Sequence, residues 1–489
     1  MQEDELNLKT DITISDEYYK SLESEAYNIN DLPQLISNIN DSDPLIKLKG
    51  LFGLGSLLLI ETKKENPTQI YNDDINIIFN ILENYPEEFK IECFKCLECI
   101  EYINYKLEKN IKYEPSEKIM KIMLYILDFP EKVKLELLFY NLKYINILLI
   151  KENYFDKFGV EKLYNSIKNI FEIKFSNNKK IIEPTLYILL ALIKTKNELV
   201  TSEKILEIIP SLEIFLDKFQ LEAEIKKVIL NILYQLTEVN IDTPLPIKRK
   251  IMDKIIGLKM LPKLIDNIDK LDITEQKDQL MHLLRTVGNI CAMEDGFYTD
   301  KILEFNFLDK LKILIQKKYP FETRKESAWI ISNIAAGTSQ QLIKLYENNF
   351  QDILIDIITN EEDNAIKDNC LWALYNYCNI NNFEYLENIV EKGIIDIIMK
   401  RLNTDTGDIL CCSLEALYKI LCEGKKKDPA FFNIIETKIN EYDILNDLKS
   451  LLKNNEEEML RNKIEIILHN YYGIDDIQKF LDSNNEDNK

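Results

Sequence analysis

Apolar side chains recur at helical spacing along most of the chain. In LPKLIDNIDKL, LDKLKILIQKK and IIDIIMKRL they fall at positions i, i+3, i+4 and i+7, so they share one face of an α-helix. Short polar runs such as NINDSDP and TNEEDNA separate these stretches, and no stretch alternates like a strand. The pattern predicts an all-α chain built from many helices with short connections.

Three segments repeat one another, and each carries an asparagine at the same point. They are LLRTVGNICAM (283–293), SAWIISNIAAG (327–337) and CLWALYNYCNI (370–380), with Asn289, Asn333 and Asn376 spaced by 44 and 43 residues. This is the period of armadillo and HEAT repeats. One such unit cannot bury its apolar face alone, so neighbouring units stack. We predict an armadillo-repeat right-handed superhelical solenoid.

The array predicted from this period covers residues 31–475 with about ten repeats, and the repeats are clearest at 280–425. A chain of 489 residues is too long for a single ordinary core, which favours such an array. Residues 1–30 hold eight acidic residues against two lysines and lack a sustained apolar period. We expect a mostly disordered tail there, and a second disordered tail at 476–489.

The net charge of −22 argues against nucleic acid as the main ligand, because duplex binding needs a basic surface. The charge fits a basic partner, and it equally fits plain solubility. Nine cysteines, with no secretory start, favour reduced thiols. The longest apolar stretches stay below the roughly 20 residues of a membrane span. We therefore expect no membrane insertion and a location in the cytoplasm, the nucleus or both.

Two of the three asparagines have a tryptophan four residues earlier, Trp329 before Asn333 and Trp372 before Asn376. Positions i and i+4 share a helix face. An asparagine amide can donate to and accept from the backbone of an extended peptide. Two indoles one repeat apart form a slot for a lysine or arginine side chain, with about 0.5–2 kcal/mol of cation–π energy per contact. The alternative is that these are ordinary core residues of packed helices.

SAWIISNIAAG and CLWALYNYC resemble the long helices of importin alpha armadillo repeats, and LLRTVGNI resembles the preceding repeat of that family. NDLPQLISNINDSDP resembles its first repeat and KIEIILHNYYGIDD its last helix. The resemblance is collinear over roughly residues 31–475 and closest across about 280–425. It implies a non-enzymatic adaptor for nuclear protein import. The peptide-binding residues it implies for a basic nuclear-localisation segment are Arg285, Asn289, Trp329, Asn333, Trp372 and Asn376.

The resemblance also implies acidic partners for the lysine and arginine heads of such a segment. Candidates in matching positions before each middle helix are Glu304, Glu347 and Glu391, which are otherwise solvated surface acids. The basic segment with which the family binds an importin beta-type carrier has no counterpart in residues 1–30, so carrier binding stays open.

The first half of the chain departs from the family's main peptide site. Where Trp/Asn pairs are expected, the matching positions hold Lys95 with Cys99, Phe139 or Tyr140 with Lys143, and Tyr187 with Ala191. Lysines there would repel a basic peptide. This departure supports an alternative function, an armadillo scaffold that binds proteins but no longer acts in nuclear transport.

The cysteine and histidine residues give little support for a metal site or for catalysis. Cys93, Cys96 and Cys99 form C-x-x-C-x-x-C, but no fourth ligand follows and buried cysteine is a common core residue. The two histidines, His282 and His469, form no metal pair and have no nucleophile beside them. We predict neither an enzyme nor a metal or cofactor site.

Overall fold

The structure is a computed structural model. It describes residues 27–482 apart from 66, 68–71, 108–114, 151–153, 173–176, 196–202, 219–221, 239–243, 295, 381, 403, 406, 428 and 455–456. The described residues form 27 α-helices and no strand, so the chain is all-α as predicted. No helix among them is long and apolar enough to cross a membrane. The chain divides into two compact units, Met1–Ile251 and Met252–Lys489.

The first unit contains eleven helices in its described part. They are α1 (Leu32–Ile39), α2 (Pro44–Glu61), α3 (Asn72–Asn84), α4 (Glu87–Lys106), α5 (Glu117–Asp128), α6 (Leu135–Ile150), α7 (Tyr154–Phe158), α8 (Val160–Glu172), α9 (Lys179–Lys194), α10 (Ile209–Lys218) and α11 (Ala223–Thr237). The next helix, α12 (Leu245–Ile256), spans the boundary between the units.

The second unit continues with α13 (Met260–Asp266) and α14 (Lys277–Cys291), followed by four three-helix repeats and a short final helix. These are α15 (Gly296–Leu303), α16 (Phe307–Leu314), α17 (Phe321–Ala335); α18 (Ser339–Glu347), α19 (Phe350–Asn360), α20 (Asn364–Tyr377); α21 (Phe383–Glu391), α22 (Ile394–Arg401), α23 (Gly407–Lys427); α24 (Pro429–Ile439), α25 (Ile444–Asn454), α26 (Glu458–Tyr472); and α27 (Ile477–Asp482).

The longest helix of each repeat packs on the longest helix of the next, and in the second unit this is the third helix of each repeat. In the first unit α2, α4, α6, α9 and α11 follow one another in this way, and in the second unit α14, α17, α20, α23 and α26 do so. Each buries apolar residues on several sides, for example Ile330, Ile331 and Ile334 of α17. Stacked long helices with one or two shorter α-helices between them in the described residues make the fold an armadillo-type solenoid.

The turn between the first and second helix of a repeat has a recurring backbone geometry. Asn306, Asn349 and Gly393 precede α16, α19 and α22, and all have positive φ angles, of 55°, 60° and 94°. Glycine and asparagine adopt this left-handed region at the lowest cost. The recurrence of these two residue types at this point therefore fixes the sharp turn in three successive repeats.

Both ends of the array extend further than the sequence predicts. Residues 27–30 belong to the folded array, because Asn28 caps the short helix Ile29–Asp31 and the Tyr27 ring lies close to Gly53. At the other end α27 occupies part of the expected tail, anchored by the buried Phe480. The rest of the two predicted tails, 1–26 and 483–489, lies outside the described residues.

Candidate peptide-binding surface

The six peptide-binding residues predicted from the repeats lie on three consecutive third helices. Two are on α14, two on α17 and two on α20, and these helices pack side by side. All six are half-buried, whereas most of the residues between them on each helix are buried. They thus form one partly exposed row, called here the Trp/Asn ladder: Arg285, Asn289, Trp329, Asn333, Trp372 and Asn376. Neither tryptophan is fully buried, and the peptide-binding role of the six residues stays a prediction.

Trp329 is positioned by a glycine on the neighbouring third helix. A Cβ atom on Gly288 of α14 would lie 2.9 Å from Cε3 of the indole, and closer still to Cζ3. The ring therefore occupies the space that a side chain at position 288 would need. Because one face packs on α14, the indole keeps a fixed orientation while the residue stays partly exposed.

Asn333 lies one turn after Trp329, and its amide nitrogen is buried without a hydrogen-bond partner among the described residues. A buried donor without a partner is costly. The nitrogen would reach a backbone carbonyl of a bound peptide, the role that the sequence predicts for this asparagine, only after the side chain turns toward solvent.

Glu326 also belongs to this surface, although it was not predicted from the sequence. It lies on α17 one turn before Trp329, so the two share a face. Its Oε1 accepts a hydrogen bond from Nε of Arg285 on α14 at 3.0 Å, and its side chain is 17% exposed against 41% for the arginine. A carboxylate thus stands beside the indole and orients the ladder arginine. The i−3 spacing from Trp329 was the signal that could have revealed it.

Glu415 extends the row by one repeat. It follows Trp372 by 43 residues on α23, where Lys419 stands in the position of the asparagine. The Glu415 carboxylate is 47% exposed and pairs with Nζ of Lys463 on α26 at 2.6 Å. Continuing the repeat spacing past Trp372 would have identified this exposed acid from the sequence.

The three acids predicted from the resemblance occupy equivalent places at the end of each first helix. Glu304 follows α15, Glu347 ends α18 and Glu391 ends α21, each two residues before the left-handed turn. All three are exposed, and Glu304 pairs with Lys301 at 3.0 Å. Among the described residues, no hydrogen bond or ion pair joins them to the Trp/Asn ladder. Their role as partners of basic side chains stays a prediction.

The departures predicted for the first unit lie at half-buried or exposed positions of its long helices. Lys95 and Cys99 are on α4, Phe139 and Lys143 on α6, and Tyr187 and Ala191 on α9. The structure separates the two aromatic candidates on α6. Nζ of Lys143 lies 5.2 Å from the Phe139 ring, whereas Tyr140 faces Lys95 at 5.1 Å.

The cysteine motif lies within α4. Cys93 and Cys96 are buried, and burial raises the pKa of the Cys99 thiol to about 12. Burial likewise raises the pKa values of Cys93 and Cys96. Thiols held protonated are poor metal ligands. In the part of the chain that the structure describes, no group of three or more His, Cys, Asp or Glu residues is arranged to hold a metal ion.

Comparison with known proteins links a short part of the chain to one curated relative. The segment is 34% identical over 77 residues to the probable importin subunit alpha-A of Dictyostelium discoideum. The match covers 16% of this chain and 14% of that protein. No protein-family model matches the chain.

Comparison with solved structures supports the fold. An engineered protein known from its crystal structure aligns over 93% of this chain and all of its own, with a TM-score of 0.64 and 13% identity. Two designed armadillo repeat proteins align over 51% and 53% of this chain and 93% and 98% of their own, each 20% identical, with TM-scores of 0.42 and 0.43. The second of these was solved in complex with the peptide (KR)4.

Proposed function

We propose that this chain is an importin alpha-like adaptor that binds a short basic segment of a partner protein along the Trp/Asn ladder, in nuclear protein import. The observation that carries the proposal is the ladder itself, with two half-buried tryptophans one repeat apart and an asparagine one turn after each. The short stretch similar to a probable importin alpha subunit supports it. We expect such a protein in the cytoplasm, the nucleus or both.

The residues divide the work of binding. Asn289, Asn333 and Asn376 hydrogen-bond to the peptide backbone, which fixes its direction without reading its sequence. Trp329 and Trp372 enclose the aliphatic part of one basic side chain, whose charged head gains cation–π energy.

Acids beside the ladder supply the charge complement. Glu326 stands one turn from Trp329 and is already paired with Arg285, so a basic head at this point competes with that arginine. Glu415 lies one repeat further on, exposed and paired with Lys463. The ladder spans only three helices, and its acids are partly neutralised by the chain's own basic residues. We therefore expect the affinity for a basic peptide to be modest and to be weakened by salt.

The test is the affinity of a labelled lysine/arginine-rich peptide, measured by fluorescence anisotropy. Asn333→Ala and Asn376→Ala each remove one backbone hydrogen bond, so each should weaken binding about three- to tenfold. Asn440→Ala changes an exposed asparagine just after α24, outside the ladder, and should leave affinity unchanged. Equal affinity in all four proteins would contradict the proposal.

A second candidate is an armadillo scaffold that no longer acts in nuclear transport. It is favoured by the first unit, where α4, α6 and α9 carry lysines and apolar residues in place of Trp/Asn pairs. Its partner would bind a surface other than the ladder. The distinguishing measurement is the nuclear accumulation of a basic-peptide reporter in permeabilised cells. Accumulation that Asn333→Ala reduces favours the adaptor, and accumulation that does not depend on the protein favours the scaffold.

A further inference from the structure

The first unit contains a large groove on the exposed faces of α6 and α9. Its volume is about 900 Å³. Apolar side chains from both helices form much of its lining, among them Phe139, Ile147, Ile150, Pro184, Tyr187 and Ala191. Ile150 is 85% exposed and Tyr187 36% exposed. Large exposed apolar surfaces and pockets of this size are typical of sites that bind a partner or a ligand.

The rim of this groove is rich in lysine. Four lysines line it, Lys143, Lys179, Lys180 and Lys194, against two acids, Glu98 and Glu183. The chain has a net charge of −22, so this local excess of positive charge is opposite in sign to the net charge of the molecule. The feature is called here the lysine-rimmed groove.

Two of these lysines already have acidic partners, and two do not. Lys143 pairs with Glu98 of α4, and Lys179 pairs with Glu222 at 2.8 Å. Lys180 and Lys194 are exposed and form no ion pair with any described residue. Their positive charge is therefore available to an acidic ligand.

The backbone of α9 adds a polar feature to the same groove. Pro184 lies inside the helix and has no N–H, so it cannot donate to the carbonyl of Lys180 in the preceding turn. Both residues line the groove. A backbone N–H of a bound peptide is a suitable donor for that carbonyl.

We infer that the lysine-rimmed groove binds a peptide segment of a partner protein that combines bulky apolar side chains with acidic residues. The apolar side chains would pack on the apolar lining from α6 and α9, and the carboxylates would pair with Lys180 and Lys194. This ligand is opposite in charge to the one proposed for the Trp/Asn ladder, so the inference does not depend on that function.

The groove sets the length of the peptide. Its lining runs from Glu98 of α4 to Asn231 of α11, three steps along the stack of long helices. Packed helices are about 8–10 Å apart and an extended chain covers about 3.3 Å per residue, so about eight residues cross it. A probe of about eight residues that alternates glutamate with leucine or phenylalanine fits these requirements.

The test is fluorescence anisotropy of this probe, labelled with rhodamine, on the full chain. Lys180→Glu with Lys194→Glu should weaken binding at least about tenfold, because two attractions become repulsions. Tyr187→Ala should also weaken it through lost apolar contact. The matched control is Lys118→Glu with Lys162→Glu, which reverses two exposed lysines on α5 and α8 and should leave affinity unchanged. Circular dichroism establishes that each variant is folded.

Further variants separate this groove from the ladder. Asn333→Ala should leave binding of the acidic probe unchanged, and the Lys180/Lys194 reversal should leave binding of a basic peptide unchanged. The inference is overturned if the acidic probe does not saturate, or if the control reversal weakens it equally. It is also overturned if the probe binds only after residues 1–26 are deleted, since the occupant would then be the chain's own acidic segment.

Discussion

Gly288 determines where the Trp329 indole can lie. Since a Cβ at this position would overlap the ring, Gly288→Ala should displace it. We expect a loss of about 1–3 kcal/mol in the free energy of unfolding, measured by thermal or urea denaturation, together with a shift in tryptophan emission.

Gly55→Ala is the matched control, because Gly55 is also a buried helical glycine. A Cβ there would meet its nearest neighbour, Sγ of Cys96, at an ordinary 3.6 Å. The loss of glycine's backbone freedom should make this variant neutral or more stable by about 0.5–1 kcal/mol. Equal destabilisation by the two substitutions would contradict the packing described for Trp329.

Lys90 predicts a pH dependence of stability. Its side chain is buried and donates to the carbonyl of Tyr85, and burial lowers the pKa of the lysine to about 8. Between about pH 8 and 10 the unfolded chain therefore binds more protons at this site than the folded chain, so its contribution to stability rises with pH. Lys90→Met should remove this rise, seen as the difference between the two proteins' denaturation curves across that range.

The exposed Lys162 supplies the control for this effect. Lys162→Met should leave the pH profile of the wild-type protein unchanged. A Lys90→Met profile parallel to wild type between pH 8 and 10 would mean that Lys90 keeps an ordinary pKa.

At the residue scale, the residues that recur at repeat spacing were predictable from the sequence. The side-chain contacts between neighbouring helices were not. The placement of Trp329 with Asn333, and of Trp372 with Asn376, on one helix face followed from their i, i+4 spacing. The pairing of Glu326 with Arg285 did not, since it requires knowing which faces of α14 and α17 meet. Glu304, Glu347 and Glu391 were chosen by resemblance, and the structure places them at the C-terminal ends of the first helices of three repeats.

At the scale of elements, the short helix α27 is the clearest addition to the sequence prediction. Phe480 is buried and lies 5.5 Å from Nζ of Lys449 on α25. Phe480→Ala should release α27 and raise hydrogen–deuterium exchange in α25 and α26, while leaving the earlier repeats unchanged. The exposed Lys479 offers a control, since Lys479→Ala should not alter exchange. Unchanged exchange in both variants would show that α27 does not stabilise the last repeat.

The presence of helices was predictable for most of the chain, because the apolar residues follow a helical period and short polar runs separate the periodic stretches. The repeat register in residues 60–250 was not predictable. In α6 a nearly continuous apolar run includes the exposed Leu135 and Ile150, so the pattern does not distinguish the packed face from the open one. The sequence did not predict α27 for a related reason. A single buried aromatic residue, Phe480, is too little to establish an apolar period.

At the scale of the whole molecule, the net charge does not determine the charge of each local surface. The net charge of −22 favours basic ligands in general. The two surfaces nevertheless differ, because the Trp/Asn ladder in the second unit has acids beside it and the lysine-rimmed groove in the first has unpaired lysines. Added salt should therefore weaken both kinds of peptide, in each case by screening local charges.

The central claim is that the ladder binds a basic peptide, and both tryptophans of the chain belong to it. Titrating the protein with a lysine/arginine-rich peptide while following tryptophan emission tests this claim directly. We predict a saturable change that salt weakens, that Trp372→Ala reduces, and that Asn333→Ala shifts to higher peptide concentration. No change in emission up to high micromolar peptide, in a protein shown to be folded, would contradict the account and leave the scaffold function in its place.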